Sequence, residues 1–405
     1  MAARSLSRNR EFMLLWSGQV LSSLGSQISL VAYPLLVLAL TGSPAKAGFV
    51  GFAHELPVAL LAIPAGVIAD RVDRKRLLVA VDAVTAMALL AIPVGLLAGH
   101  LPFGVVVLVA AIDGAGFVVT YVGEQGVVPQ LVAPEQLGEA VARNESRIFA
   151  GMLAGPLFGG ALFALARAIP FLTDAGSYVI GAVTKLLIRT SFQEERSDAK
   201  SWDPRPGMRW LWERPFFRMV SLLFALGNPM LRGLLLLVVL LAKRHGASSS
   251  LVGVMLGIGA AGGLLGALVA ARAQRHISAR FSIIAENLML VLAVPFLLLA
   301  HNALVIGVIL AASILVTPVT NSIVLGHRVA LVPDELRGRV QAASILITFS
   351  AGWLGPLLVG LLFEHAGSAA TILVLTGWAL AMLSVAVGSQ AFREAPELVT
   401  IARRG

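Results

Sequence analysis

Residues 131–138 read LVAPEQLG, and residues 331–338 read LVPDELRG. Each copy is followed by an apolar segment that carries Gly-Pro-Leu, at 155–157 in the first case and at 355–357 in the second. Both matches have the same offset of 200 residues, which is about half of the 405-residue chain. Two matches in the same order at one offset indicate an internal duplication, so the sequence predicts two related halves.

The composition places the chain in a membrane. Hydrophobic residues make up 58% of the chain and charged residues 13%, and the mean hydropathy is +0.87. A soluble domain is about half apolar and about a quarter charged. So few charges cannot cover the surface of a soluble protein of this size. The chain has no cysteine, which excludes disulfides and thiolate metal sites.

Apolar runs of roughly 20 residues, the length that spans a bilayer, recur along the chain. Continuous runs such as 234–241 exclude the alternating strands of a membrane β-barrel. We therefore predict an all-α membrane protein with 12 transmembrane helices in two pseudo-symmetric six-helix bundles, related as a parallel repeat. The predicted spans are 12–40, 46–69, 77–98, 102–124, 145–166, 169–188, 217–242, 250–271, 282–300, 303–325, 341–363 and 369–388.

A polar stretch near the middle of the chain predicts the division between the bundles. Residues 191–215 hold charged side chains and three prolines, which is typical of a linker. We expect an N-terminal bundle over 1–190, a cytoplasmic linker over 191–215 and a C-terminal bundle over 216–405.

The basic residues predict the orientation. If the N-terminus is cytoplasmic, 25 of the 31 lysines and arginines fall on the inner face, four on the outer face and two within helices. This bias predicts that both termini are cytoplasmic. The basic loops then face anionic membrane lipids, so the net charge of +9 does not indicate nucleic-acid binding. We expect a multi-pass protein of the bacterial cytoplasmic (inner) membrane.

Residues 66–76, between the second and third predicted spans, read GVIADRVDRKR. This segment is similar to a loop motif of the major facilitator superfamily, in which a glycine, an aspartate, an arginine and a basic cluster recur. The usual second glycine of that motif is Asp73 here, a variation that resembles the drug and siderophore exporter branch. The positions that match the motif are Gly66, Asp70, Arg71, Arg74 and Arg76.

Other segments resemble the same branch, and the resemblance extends over nearly the whole chain. It implies a secondary transporter that opens alternately to each side, with the loop motif as a conformational switch that holds the cytoplasmic side shut. The matching segments are 9–12 with Trp16, Gly18, Gln19 and Gly25, and then 40–44, 174–178 and 333–340.

The charges of the motif have a direct physical interpretation. Asp70 and Arg74 are four residues apart and would pair if helical geometry persists between them. Asp70 could also face the positive end of the helix that begins near Val340. The alternative is a basic loop that sets the topology only.

The two Gly-Pro pairs also leave two interpretations open. Proline bends a helix, and glycine lets a neighbouring backbone approach. Gly155, Pro156, Gly355 and Pro356 are therefore gate or kink residues on one interpretation, and helix-packing residues on the other.

Ionisable residues inside predicted spans need a reason, because each costs roughly 2.5–3.5 kcal/mol at the bilayer centre. We expect Lys185 to snorkel to the inner interface, and Asp82 and Asp174 to be packing residues. Packing is also favoured over function for Glu55 and Glu286. The complete set is Glu55, Asp82, Asp113, Glu124, Asp174, Lys185, Arg232 and Glu286.

The fourth predicted span is the most informative. Asp113, Phe117, Thr120 and Glu124 fall on one helical stripe, flanked by Tyr121. A carboxyl in a low dielectric favours its protonated form, so Asp113 is a candidate proton site.

The resemblance implies a central cavity lined by the first, fourth, seventh and tenth helices. Arg232, after a predicted helix break at Asn228-Pro229, would then lie at the depth of Asp113. A fixed ion pair between Asp113 and Arg232 is therefore the alternative to a proton site. The substrate or proton candidates are Gln19, Glu55, Asp113, Thr120, Glu124, Asn228, Arg232 and Asn321.

The chain shows no catalytic constellation, no nucleotide-binding loop and no metal-binding motif. We therefore expect neither an enzyme nor a bound cofactor or metal, and any pumping must use an ion gradient, for which protons are expected. The resemblance implies a monomeric exporter of a small amphipathic molecule such as a drug, a siderophore or another natural product. The alternatives are a lipid or lysolipid transporter and a non-transporting membrane receptor or scaffold.

Overall fold

The computed structural model describes residues 6–192, 205–333 and 336–394. Every regular element in these ranges is helical, which confirms the predicted all-helical fold class. The chain divides into two compact units, Met1–Trp202 and Asp203–Gly405, which we call the first unit and the second unit. The exact boundaries 1–190, 191–215 and 216–405 stay predictions, and residues 193–204 of the predicted linker lie outside the described residues.

The first unit contains six long helices and one short one. They are α1 (Arg10–Thr41), α2 (Pro44–Arg71), α3 (Arg74–Leu97), α4 (Phe103–Gln125), α5 (Val128–Leu131), α6 (Leu137–Leu165) and α7 (Ile169–Leu187).

The second unit repeats this order with more interruptions. Its helices are α8 (Arg205–Glu213), α9 (Pro215–Arg244), α10 (Ser249–His276), α11 (Ala279–Ala293), α12 (Ala303–Ile314), α13 (Thr317–Leu331), α14 (Arg337–Phe349), α15 (Leu354–Gly388) and α16 (Gln390–Arg393).

Local sequence explains where the helices begin and end. After α1, Gly42 adopts a left-handed conformation with φ of 66°, which glycine tolerates without steric cost. Ser43 then caps α2 by accepting a hydrogen bond from the backbone N–H of Lys46 at 3.1 Å, and Pro44 occupies the first helical position. Side chains cap five further helices in the same way: Asn9, Asp73, Ser248, Ser278 and Asn302.

The two units pack their helices in the same pairs. In the first unit α2 packs on α4, α1 on α6, and α3 on α7; in the second unit α10 packs on α12, and α9 and α11 pack on α15. The Thr120 hydroxyl donates to the Asp82 carboxylate at 3.4 Å, and the Thr320 hydroxyl donates to the Ser282 carbonyl at 3.2 Å. Both residues of the second contact lie 200 positions after those of the first, so the duplication extends to single contacts.

Several predicted spans differ from the observed helices. The span predicted over 145–166 begins earlier, at Leu137. The span predicted over 303–325 is two helices, because α12 ends before the Thr317-Pro318 pair that begins α13. The spans predicted over 341–363 and 369–388 are divided differently: α14 ends at Phe349, and α15 continues to Gly388 across a kink at Gly367, where φ is 83°.

Within the described residues, nine helical stretches are long and apolar enough to cross a membrane, or ten if the bent pair Pro44–Ala62 and Pro64–Arg71 is one span. One of them, Arg339–Gly388, has 50 residues, whereas a bilayer core needs roughly 20. It also contains the non-helical Gly367. The chain is thus a multi-pass membrane protein, and the count of twelve spans stays a prediction.

Part of the predicted linker is a helix that the sequence analysis missed. Helix α8 buries Trp210 and Leu211 and packs on α9 and α14. Arg214 lies 4.1 Å from the centre of the Trp210 ring, and Arg209 pairs with Glu213 at 2.7 Å. The polar composition reflects the exposed face of this helix and does not indicate an irregular chain.

The cap of α3 gives a test of this local account. Asp73 accepts a hydrogen bond from the backbone N–H of Arg76 at 2.9 Å. Replacing a capping aspartate with alanine costs about 1 kcal/mol. We therefore expect Asp73→Ala to lower the thermal unfolding temperature of the detergent-purified protein, and Asp73→Asn, which can still cap, to leave it unchanged. Equal unfolding temperatures for the alanine variant and the wild type would contradict this role.

Candidate functional site

The first unit contains a buried carboxylate that is held by neutral groups. Asp113 of α4 is 1% exposed. It accepts hydrogen bonds from the hydroxyls of Tyr33 of α1 at 3.1 Å and Tyr178 of α7 at 3.3 Å. His54 of α2 places its Nε2 3.8 Å from the same carboxylate. Four helices therefore converge on one acidic group, which is a site that can bind a proton.

A close helix contact brings α2 to this site. A side chain at Gly114 would collide with the backbone carbonyl of His54, so only glycine lets α4 approach α2 this closely. The His54 ring lies 6.2 Å from the Tyr33 ring, and the Tyr33 ring makes an edge contact with Phe171 at 5.2 Å. Packing thus fixes the groups around Asp113.

A second buried carboxyl lies on α7. Asp174 is 0% exposed, and its Oδ1 accepts a hydrogen bond from the Ser177 hydroxyl at 3.3 Å. A side chain at Gly25 of α1 would come within 2.6 Å of the same Oδ1, so Asp174 lies against α1. Its Oδ2 makes no hydrogen bond within the described residues.

Three further charged residues form a compensated cluster, which we call the Lys185 cluster: Asp82 of α3, Glu124 of α4 and Lys185 of α7. The ammonium of Lys185 lies 2.6 Å from Asp82 and 3.0 Å from Glu124, and its side chain is 3% exposed. Arg147 of α6 lies 3.8 Å from Glu124. The prediction that Lys185 snorkels to the interface is wrong, because two buried carboxylates hold it inside the helix bundle.

The second unit lacks this cluster. The positions 200 residues after Asp82 and Glu124 are Ser282 and Val324, and residues 368–388 contain no charged side chain. The two units thus share helix packing but not this electrostatic arrangement.

The side chains of the predicted stripe on α4 differ in their exposure to solvent. Asp113, Thr120 and Glu124 are buried, whereas Phe117 is 42% exposed and stacks on Tyr121 at 6.0 Å between ring centres. The polar members of the stripe face α1, α3 and α7, and the aromatic pair lies outside that contact.

The predicted switch residues Asp70 and Arg74 form an ion pair at 2.7 Å. The helix does not persist between them, because α2 ends at Arg71 and α3 begins at Arg74. Arg74 also donates to the carbonyls of Gly126 at 2.9 Å and Phe192 at 3.2 Å. It therefore joins the ends of α2, α3 and α4 to the segment after α7.

The other motif positions are less constrained. Arg71 and Arg76 are exposed, and a side chain at Gly66 would meet only Val122 at 3.7 Å. The predicted contact of Asp70 with the helix near Val340 involves the other unit and stays a prediction, as does the switch itself.

The sequence analysis did not assign a role to Lys75 of this motif. Its ammonium donates to the carbonyls of Leu186 at 3.2 Å and Ile188 at 2.5 Å, at the C-terminal end of α7. A cation at a helix C-terminus is stabilising. The basic cluster alone did not reveal this contact, because the end of α7 is more than 100 residues away.

The two Gly-Pro pairs both lie at close helix contacts. A side chain at Gly155 would collide with Gln27 of α1, and one at Gly355 would collide with the Pro229 carbonyl of α9. Pro156 lies inside the continuous helix α6, whereas Pro356 lies in the first turn of α15, where proline removes no helical hydrogen bond. The structure thus accounts for the glycines by packing, and the gating role stays a prediction.

The three candidate residues of the second unit, Asn228, Arg232 and Asn321, have different environments. Asn228 donates to the Thr348 carbonyl at 3.1 Å, and α9 continues through Pro229, so the predicted helix break is wrong. Arg232 is half-buried and Asn321 is exposed. The pairing of Arg232 with Asp113 would join two units and stays a prediction.

Three other polar or ionisable residues of the predicted spans are buried or half-buried: Gln19, Glu55 and Glu286. Gln19 is 3% exposed, and its Oε1 has no hydrogen-bond partner within the described residues. Glu55 is 8% exposed. Glu286 is half-buried. In the part of the chain that the structure describes, no three acidic, histidine or cysteine side chains are grouped as metal ligands.

Comparison with protein families gives a match over most of the chain. Residues 15–356 match the family described as Major Facilitator Superfamily.

The chain is also similar to bacterial proteins named as efflux pumps. The multidrug efflux pump Tap of Mycolicibacterium fortuitum is 28% identical over 394 residues, covering 91% of this chain and 93% of that protein. The pump of the same name in Mycobacterium tuberculosis is 26% identical over 425 residues, covering 96% and 94%. Macrolide efflux protein A of Streptococcus pyogenes is 25% identical over 195 residues, or 48% of each chain.

Solved structures of transporters have the same fold. A bacterial homologue of the iron transporter ferroportin in the inward-facing state has a TM-score of 0.68 at 21% identity, covering 94% of this chain and 100% of that one. A bacterial homologue of the lysosomal transporter Spinster has a TM-score of 0.70 at 16% identity, covering 99% and 98%. The nucleoside transporter NupG has a TM-score of 0.71 at 13% identity, covering 93% and 99%. At these identities the likeness shows the fold alone.

The Lys185 cluster predicts a non-additive effect of mutation. Removing one partner of a buried ion pair costs about 3–5 kcal/mol, whereas neutral replacement of the whole group is often tolerated. We expect Lys185→Met to lower the thermal unfolding temperature and the yield of monodisperse protein. The triple variant Asp82→Asn, Glu124→Gln and Lys185→Met should recover most of both. A triple variant less stable than the single one would show that the charges act independently.

Proposed function

Because this chain belongs to the Major Facilitator Superfamily, we propose that it exports small, partly apolar, drug-like molecules by alternating access, driven by protons. The chain is a transport protein rather than an enzyme, and family membership confirms the resemblance stated from the sequence. Relatives that align over more than nine-tenths of this chain are named multidrug efflux pumps, which supports drugs as the substrate class. Siderophores and other natural products belong to the same proposal.

The observation that carries proton coupling is the environment of Asp113. It is the eleventh of the 23 residues of α4, which places it near the middle of the helix and so of the bilayer. Its hydrogen-bond donors, Tyr33 and Tyr178, are neutral hydroxyls. A carboxylate far from water is costly unless it is paired or protonated, so Asp113 gains more from a proton than a compensated carboxylate would.

The Lys185 cluster shows the contrast within the same unit. Asp82 has a lysine at 2.6 Å that stabilises its charged form. Asp113 has a histidine at 3.8 Å, which is beyond hydrogen-bond distance. Asp113 is therefore the carboxyl that we assign to proton uptake and release, and Asp82 and Glu124 are assigned to structure.

In the proposed cycle, protonation of Asp113 removes a buried charge and deprotonation restores it. The two forms stabilise different arrangements of the surrounding helices, since a ligand shifts an equilibrium by its differential affinity for the two states. Asp70 and Arg74 act as the switch at the cytoplasmic ends of α2 and α3. Their ion pair and the carbonyl contacts of Arg74 support that role.

The setting of this activity is also part of the proposal. The basic loops favour a bacterial cytoplasmic membrane with both termini inside and anionic lipids around them. We propose a monomer that uses no bound cofactor, takes a small-molecule substrate and does not bind nucleic acid.

Asp113→Asn tests the coupling. Asparagine keeps the size and the acceptor oxygen but cannot exchange a proton, so drug-induced proton movement in proteoliposomes should fall at least about 100-fold, at the low end of general acid–base effects. Glu286→Gln, which neutralises a carboxyl of the second unit, is the matched control and should retain it. Proton movement at the wild-type rate in Asp113→Asn would overturn the coupling role. Reconstituted protein that moves no drug would overturn the export role.

Asp70→Asn tests the switch. The variant loses the ion pair with Arg74, so we expect transport to fall strongly while the amount of protein in the membrane stays the same. Asp73→Asn makes the same chemical change three residues away and retains the helix cap, so it should transport normally. Normal drug efflux in Asp70→Asn would refute the switch.

A further inference from the structure

His54 lies between two acidic side chains. Its Nε2 is 3.8 Å from Oδ2 of Asp113, and its Nδ1 is 3.9 Å from Oε1 of Glu55. The sequence analysis assigned no role to His54. The structure instead places one imidazole nitrogen towards each carboxyl, on two different helices.

Neither approach is a hydrogen bond. Both distances exceed the range of about 2.7–3.2 Å that a hydrogen bond to nitrogen requires. The Nδ1 atom is buried and makes no hydrogen bond within the described residues. A histidine that only fixed the position of a neighbour would be expected to bond it, whereas neither acid holds this ring by a hydrogen bond at these distances.

The imidazole of His54 is not part of the close contact between α2 and α4. The backbone carbonyl of His54 lies against Gly114, so the contact between α2 and α4 does not depend on the imidazole. The His54 side chain is 13% exposed, while those of Asp113 and Glu55 are 2% and 9% exposed. The imidazole is thus the most accessible of these three groups.

The groups facing His54 come from four helices. Tyr33 of α1 lies beside the imidazole, Asp113 of α4 lies at Nε2, and Glu55 follows on α2 itself. Tyr178 and Asp174 of α7 complete the set, since Tyr178 donates to Asp113 and Asp174 lies one helical turn before Tyr178. The acids of this set are carboxyls or weakly acidic phenols, and His54 is the base among them.

We infer that His54 relays the coupling proton between Asp113 and Glu55. This inference rests on the proposed function, in which Asp113 binds that proton. Nε2 accepts the proton from the Asp113 carboxyl, which leaves a carboxylate and an imidazolium. Nδ1 then gives its proton to the Glu55 carboxylate, which becomes neutral. The imidazole is left as the Nε2–H tautomer, and the reverse transfer restores the Nδ1–H tautomer. One proton has moved from Asp113 to Glu55, and the reverse order moves it back.

Histidine suits this step for a chemical reason. It is the side chain whose ordinary titration range lies near neutrality, and its two nitrogens can accept and donate on opposite sides. Glutamine can occupy a similar space and form hydrogen bonds but cannot carry a proton. The His54→Gln variant therefore separates proton transfer from packing.

The experiment compares two kinds of transport in proteoliposomes that contain the full chain and a fluorescent macrolide or tetracycline. Efflux driven by a pH gradient requires the proton step, whereas exchange of drug across the membrane without a gradient does not. In His54→Gln we expect gradient-driven efflux to fall roughly 100-fold, at the low end of general acid–base effects, and to lose its pH dependence. Drug exchange should stay at the wild-type rate. His100→Gln, which changes an exposed histidine of the same unit, is the matched control.

A second variant, Glu55→Gln, tests the same relay and can be used if His54→Gln does not fold. It should show the same selective loss of gradient-driven efflux, because the relay then has no second acceptor. Equal loss of efflux and exchange in both variants would mean a structural role and would overturn the relay. So would gradient-driven efflux at the wild-type rate in either variant. If Asp113→Asn abolishes proton movement while His54→Gln retains proton movement, the relay is wrong and the proposed function stands. If Asp113→Asn leaves proton movement unchanged, the proposed function itself is wrong.

Discussion

The position of one ammonium group constrains the first unit. Lys185 lies between Asp82 and Glu124, and these three residues belong to three helices, α7, α3 and α4. In a low dielectric none of the charges is tolerated alone, so the helices must bring all three together at the same depth. The constraint also explains why Thr120 donates to Asp82, because the second oxygen of that carboxylate needs a partner of its own.

A carboxylate without such compensation lies on the same helix, α4. Asp113 is surrounded by phenol hydroxyls and an imidazole, and these groups tolerate both of its protonation states. Glu124 of the Lys185 cluster and Asp113, the proposed proton site, are separated by 11 residues, or about 16 Å at 1.5 Å per residue. Helix α4 therefore carries both a member of the Lys185 cluster and the carboxyl that we propose changes its protonation state.

The sequence predicted the features that depend on composition and short spacing. It predicted the helical membrane fold, the duplication, the ion pair of Asp70 with Arg74 and a carboxyl, Asp113, inside the fourth span. It did not predict that Lys185 is buried, that residues 205–213 form a packed helix, or that His54 faces Asp113. These features depend on the rotation of each helix about its axis and on which helices are neighbours. Periodicity within a single span does not determine either, and a hydropathy profile treats buried polar clusters as interruptions.

The absence of charge at Ser282 and Val324 has a consequence for how the two halves diverged after duplication. A lineage that changes Asp82, Glu124 or Lys185 one at a time passes through proteins with an unmatched charge in lipid, and each such ancestor loses several kcal/mol. The three positions are therefore expected to be inherited as a block, present together or neutral together. Among descendants of one duplicated gene, this block marks which half is which even where other similarity has been lost.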